Sequence, residues 1–352
     1  MSPVNRQKMK NSLGIILLCL AMPFNAGSQQ IGFRTGLYSF FDNTEFGHSR
    51  VHIPQTMAGV RFVPGMSVSF DSVHTIVAGV NMLHEYGSTG IIDDLSPVAY
   101  YMFRKSGFSF LAGAFPREEA LDRFPRLFFR DSISFYRPNM NGILLDYSGR
   151  NISANLWLDW TSRQSYESRE TFFVGFSGKY NREHFYIRNF SYMFHFAGFM
   201  DPVTDEPLHD NLLQLTSAGL DLSGVTFLSR LDFNVGYVTG FDRARALKTG
   251  WLLHHGFLSE LNIEYRGIGI FNTFYAGDGQ MEYYPVHNNE LYWGDPFYRT
   301  NTYNRTDFYW SFLRSNIIKA RLEFSFHFTE GNIYNEQALK VSVNLNNIRM
   351  KN

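Results

Sequence analysis

The sequence predicts an all-β protein, a transmembrane antiparallel up-and-down β-barrel of about sixteen strands with short periplasmic turns and long extracellular loops. Three observations predict it. Segments of about ten residues alternate apolar and polar side chains, the period of a strand whose two faces meet different solvents. The connections between them alternate short and long along the whole chain. The chain also opens on what reads as an export leader.

The leader comes first in order. Arg6, Lys8 and Lys10 precede an apolar run from Leu13 to Met22, and Ala26-Gly27-Ser28 supply the small residues of a cleavage site. The run is too short to span a membrane. The reading is a signal peptide over 1–28 and one barrel domain over 29–352. Cys19, the only cysteine, lies inside the leader, so the mature chain has no disulfide. Leu18 before it is too bulky for a lipoprotein cleavage box. Cleavage removes three of 32 basic residues and none of 32 acidic ones, leaving 29 against 32 and a net charge of −3. That balance gives no support for nucleic acid as a partner. Aromatics make up 17% of the chain, and mean hydropathy is −0.22. No later apolar run approaches a membrane helix, whereas a barrel needs only half of each strand apolar.

The clearest strand is Lys319–Thr329, where Ala320, Leu322, Phe324, Phe326 and Phe328 alternate with Arg321, Glu323, Ser325, His327 and Thr329. The first set should face acyl chains and the second the lumen, so a charge costs much at Phe324 and little at Ser325. Asn151–Trp160, Arg230–Tyr237 and Leu339–Asn346 alternate as cleanly. Short connections such as Ser72-Val73, Asn181-Arg182, Ser223-Gly224 and Ser315-Asn316 suit tight hairpins. The long ones include Asp42–Gln55, Arg117–Asn139, Ala197–Asp210 and Asp278–Arg305. Each internal long connection lies between two short ones, which places both chain ends in the periplasm.

With this architecture, and with segments such as Asn141–Tyr147 and Leu156-Trp157-Leu158-Asp159-Trp160, the chain resembles a porin-type outer-membrane protein of Gram-negative bacteria. The resemblance implies an outer-membrane location, a lipid surround, passive diffusion of small hydrophilic solutes and no enzymatic chemistry or cofactor. It leaves assembly with further copies of the chain open. It departs at the end, where Asn346–Asn352 replaces a closing aromatic residue. It also implies that the third outer loop folds into the barrel as a constriction. Here that loop carries Arg117, Arg123, Arg126, Arg130 and Arg137 with Glu118, Glu119, Asp122 and Asp131 among many aromatics. Opposed charges across a narrow water path would select solutes; packing over the rim is the plainer reading.

On the wall, Lys179, Arg188, Arg230, Arg321, Asp146, Asp159, Asp232, Glu264 and Glu323 read as lumen-facing, both signs together. In the seventh long loop, Tyr283, Tyr284, Tyr292, Trp293 and Tyr298 stand among carboxylates and amides. That set suits sugar rings, against the plainer reading of an aromatic belt. A barrel acting through its outer loops in adhesion, partner binding or glycan binding is the alternative to a channel. A lipid hydrolase is a third class. Its candidate pairs are weak: His255 and Ser259 lie about 13 Å apart along one strand, and Ser325 and His327 about 6.6 Å apart on the polar face. His48 and His52 with Asp42 and Glu45 lack a third metal ligand fixed by spacing.

Overall fold

The computed structural model describes residues 30–200, 208–248, 250–345 and 348–349. The leader lies outside the described residues. The strands are β1 (Gln30–Glu45), β2 (Gln55–Phe70), β3 (His74–Glu85), β4 (Asp94–Lys105), β5 (Phe108–Pro116), β6 (Asn139–Ser148), β7 (Ile152–Ser162) and β8 (Thr171–Arg182). They continue as β9 (Phe185–Phe196), β10 (His209–Asp221), β11 (Arg230–Ala244), β12 (Leu252–Tyr265), β13 (Ile268–Gly277), β14 (Thr302–Arg314), β15 (Ile318–Thr329) and β16 (Asn332–Asn344).

Each strand pairs antiparallel with its chain neighbours, and β1 closes the barrel on β16. A short β17 (Ile348–Arg349) adds two residues to the edge of β1. Closure leaves no unpaired sheet edge, as a membrane demands. No described helix is long and apolar enough to cross a membrane.

Alternation sorts the faces as period two requires. On β15, Phe324, Phe326 and Phe328 are exposed on the outside, while Glu323, Ser325 and His327 are buried inside. Ala320 is covered, next to the register shift between Ser311 and Leu313. One turn differs from its expected place. The connection between β10 and β11 occupies 222–229, because Ser223 accepts from the Leu231 amide (3.0 Å) and Thr226 donates to the Leu222 carbonyl (3.2 Å). These local bonds take the backbone out of the ladder.

The interior is packed. The third long loop folds inward with two short helices, α1 (Arg117–Ala120) and α2 (Ser132–Tyr136). The Arg117 amide bonds the Pro138 carbonyl at 2.7 Å and closes the loop's base. Leu127, Phe128 and Phe135 are fully buried, and Phe135 stacks on Phe40 of β1 at 4.4 Å. The seventh long loop folds inward as well, carrying α3 (Tyr284–Leu291), which is kinked at Asn288. The two loops pair through their backbones, Arg130 N to Trp293 O (2.8 Å) and Asp295 N to Arg126 O (2.9 Å). Gly294 permits this approach, since a Cβ there would meet the Leu127 carbonyl at 2.1 Å.

Candidate functional site

The nine charged residues of the third loop separate into four groups. Arg117 turns to the wall and donates to Asp159 at 2.5 Å, its guanidinium lying over Phe129 and Trp293. Glu118, Glu119, Asp122 and Arg123 face the periplasmic half. Glu119 pairs with Arg34 at 2.8 Å, and Glu118, Asp122 and Arg123 line a cavity of about 510 Å³ beneath the loop. Arg126 and Asp131 enter a buried charge network. Arg130 and Arg137 face the extracellular side.

The network is a charged septum between the third loop and the wall of β14, β15 and β16. Arg126 donates to Asp307 (2.8 Å), to Glu323 (3.1 Å) and through two nitrogens to Asp131. Arg305 of β14 binds Asp307 (2.6 Å) and Glu336 (3.0 Å), and Lys340 of β16 reaches Asp131 at 3.2 Å. Tyr303, His327 and Glu336 continue it at 2.8 and 3.2 Å. Buried charges persist only when paired in this way. Burial raises the Asp131 carboxyl, but Arg126, Lys340 and Arg305 outweigh it and hold it well below the usual carboxylate range. Asp131 and Arg130 line cavities on both sides, about 510 Å³ below and about 810 Å³ above.

The nine wall residues all lie on inward faces. Arg188 pairs with Glu260 (2.9 Å), Asp232 accepts from Tyr186 (3.0 Å), and Lys179 lies over the Tyr186 ring at 4.4 Å. Arg321 pairs with Glu323 (2.6 Å), and Glu264 accepts from Tyr309 (3.2 Å). Asp146 and Arg230 sit toward the periplasmic ends of β6 and β11. In the seventh loop, Tyr292, Trp293 and Tyr298 are buried in the plug, and Tyr283 packs on His209 at 4.7 Å. Tyr284 lines the upper cavity.

No lipid reaches the Ser325–His327 pair. Ser325 accepts from Arg305 at 3.0 Å, and His327 is fully buried. His52 is enclosed by the Phe46 and Phe297 rings at 4.6 and 5.2 Å. Among the described residues, no group of His, Cys, Asp and Glu side chains could hold a metal ion.

A different pair lies on the outward face near the extracellular rim, largely covered: the His195 side chain is 15% exposed and that of Asp210 2%. His195 of β9 shares its face with the exposed Ile187, and Asp210 of β10 shares its face with the exposed Leu220. The two are register partners, with His195 Nδ1 2.9 Å from Asp210 Oδ1. Arg243 and Arg245 bind the same carboxylate at 2.5 and 2.8 Å. Phe172 packs on His195 at 5.0 Å, and Trp160 packs on Phe172. An imidazole oriented by a carboxylate through one nitrogen keeps the other for proton transfer. The sequence hid the pair because a long connection separates its members and His195 reads as one more residue of an aromatic rim.

A closed antiparallel barrel with tight turns at one end, long loops at the other and an apolar outer face is a bacterial outer-membrane β-barrel. Solved structures agree on the fold. A loop-deletion mutant of OmpT from Vibrio cholerae is 8% identical at a TM-score of 0.53, with 90% of this chain and 100% of that one covered. OpdK from Pseudomonas aeruginosa is 10% identical at 0.52, with 90% and 98% covered. A mutant porin of Rhodopseudomonas blastica is 12% identical at 0.50, with 90% and 100% covered. No curated protein matches the sequence.

The family model described as lipid A 3'-O-deacylase-type matches residues 24–350, and the chain belongs to that family. Membership overturns the expectation of a barrel without enzymatic chemistry, because the family is an enzyme family by its description. The porin resemblance held for the architecture. Architecture repeats across outer-membrane barrels whatever their outer faces do.

Proposed function

We propose that this barrel hydrolyses an acyl ester of lipid A in the outer leaflet. The observation that carries the reading is the His195–Asp210 pair on the outward face at the extracellular rim. There the acyl esters of a lipid meet water, which the lumen-facing Ser325–His327 pair does not. His195 Nε2 acts as general base on a water, and Asp210 holds the ring in place. The water adds to the ester carbonyl, and collapse releases a fatty acid and the sugar hydroxyl. Mass spectrometry of lipid A incubated with the purified protein should show loss of one acyl chain. His195→Ala and Asp210→Asn should each reduce that loss by about 10²–10⁴-fold. Unaltered lipid A with the wild-type protein would overturn the reading.

A second reading is favoured by the cavities on either side of Asp131: slow passage of small solutes, with the third loop as the constriction. Replacing Arg123, Arg126 and Arg130 together by Ala should raise conductance in a planar bilayer or shift ion selectivity. An unchanged single-channel record would remove the constriction.

A further inference from the structure

The extracellular mouth of the lumen is a vestibule of two lobes, about 810 and 620 Å³, which share Arg130, Tyr136, Asn288 and Asn289 on their floor. Its arginines differ from those of the septum. Arg130 donates to Ser132 Oγ at 2.8 Å and to Asn289 Oδ1, both neutral. Arg137 lies over Trp293 at 5.7 Å. Arg299 donates to the Val51 carbonyl at 3.3 Å and lies over Tyr284 at 4.5 Å. No Asp or Glu among the described residues forms an ion pair with any of the three. Burial lowers the Arg130 guanidinium from its ordinary value and Arg137 adds to this, while Tyr284 and Asp295 oppose it. Guanidinium groups held by neutral partners and rings on a concave floor present N–H donors that an oxyanion can take in pairs.

A second observation specifies more than an anion. Asp42 of β1 lines the larger lobe, is 2% exposed, and among the described residues its Oδ1 has no hydrogen-bond partner. A buried acceptor without a donor is costly, and a ligand hydroxyl would supply one. Asn288 and Asn289 add side-chain amides, and Tyr136 adds an aromatic ring for an apolar C–H surface. An oxyanion, hydroxyls and C–H faces belong together in one class of molecule.

We propose that the vestibule binds an anionic saccharide, its phosphate or carboxylate on Arg130 and Arg137 and a hydroxyl on Asp42. The site opens inward and upward, whereas the His195–Asp210 pair faces outward, so this inference does not rest on the deacylase reading.

The test is calorimetric titration of the purified full chain in detergent with glucose 1-phosphate, inorganic phosphate and glucose. Glucose 1-phosphate should bind more tightly than either of the others. Arg130→Ala, Arg137→Ala and Asp42→Asn should each weaken it about tenfold or more. Arg130→Lys, which keeps the charge but loses the forked donors, should fall between. Retention of the heat-modifiable gel mobility of a closed barrel shows that each variant is folded. Displacement of glucose 1-phosphate by lipid A micelles would assign the saccharide to a lipid headgroup, and absence of displacement to a soluble sugar. No heat with glucose 1-phosphate, equal affinity for it and for inorganic phosphate, or full affinity in folded Arg130→Ala would each overturn the proposal.

Discussion

Arg126 and Arg130 lie one helical turn's worth of sequence apart on the same inward loop, yet they do opposite things. Arg126 is held by Asp131, Asp307 and Glu323. Among the described residues, the Arg130 side chain hydrogen-bonds to Ser132 and Asn289, both neutral. The first belongs to a septum whose charges cancel inside the protein. The second belongs to a vestibule floor whose charge points toward whatever enters. Residue type therefore does not tell a structural arginine from a binding one. The carboxylates that neighbouring strands deliver do, and β14, β15 and β16 deliver theirs only at the level of the septum.

The largest effect should separate these two levels. Arg305→Met leaves Asp307, Glu336 and Glu323 buried without their shared cation. Breaking a buried network on one side costs about 3–5 kcal/mol. Arg130→Met removes bonds to neutral partners and should cost about 1 kcal/mol. Urea unfolding in lipid vesicles measures both. Equal costs would mean that the vestibule arginines are as structural as those of the septum.

The next effect concerns the wall that carries the septum. Phe324→Arg should cost about 2–4 kcal/mol if it lies at the bilayer midplane. The expectation that Ser325 tolerates a charge does not survive the structure. Ser325 is 1% exposed and already accepts from Arg305, so an added cation would crowd a filled network. The two substitutions fail for different reasons, and bilayer thickness tells them apart. In a thinner bilayer position 324 moves nearer the interface and its cost should fall. The cost at 325 should not change. A parallel response at both positions would dissolve the distinction between lipid face and septum.

These cases show what the residues alone could reveal. Alternation in Lys319–Thr329 and the short/long rhythm of the connections carried the barrel, because both depend only on neighbours along the chain. The inward course of the third loop was an expectation of the porin resemblance, with which its surplus of aromatic area agreed. The partners of Arg126 lie far along the sequence, at Asp307 and Glu323, and no local pattern records them. The same holds for His195 and Asp210, which meet only through strand register. Tyr292 and Tyr298 looked like a sugar platform, but they fill the plug. The chemistry of an outer surface is a matter of which register partners meet there, and periodicity is silent on that.

The smallest effect should come from acid, and its sign separates the levels once more. His52 and His287 belong to the vestibule loops. Burial lowers both imidazoles below their ordinary value, Arg169 adding to the effect at His287. His287 also faces Glu290, which opposes the shift, and His209, whose Nε2 is 2.9 Å from its own. A base with a depressed folded value takes up its proton first in the unfolded state. Stability is therefore intact above the ordinary histidine range and falls as pH drops through it. Asp131 is depressed as an acid, so the septum's contribution is intact above the ordinary carboxylate range and is lost only as pH falls into that range and below it. Between pH 7 and pH 5 the seventh loop should become more open to proteolysis while the barrel holds. His287→Gln should flatten that response. Cleavage that begins only below about pH 4, in the carboxylate range, would place the acid-sensitive contacts in the septum instead of the vestibule.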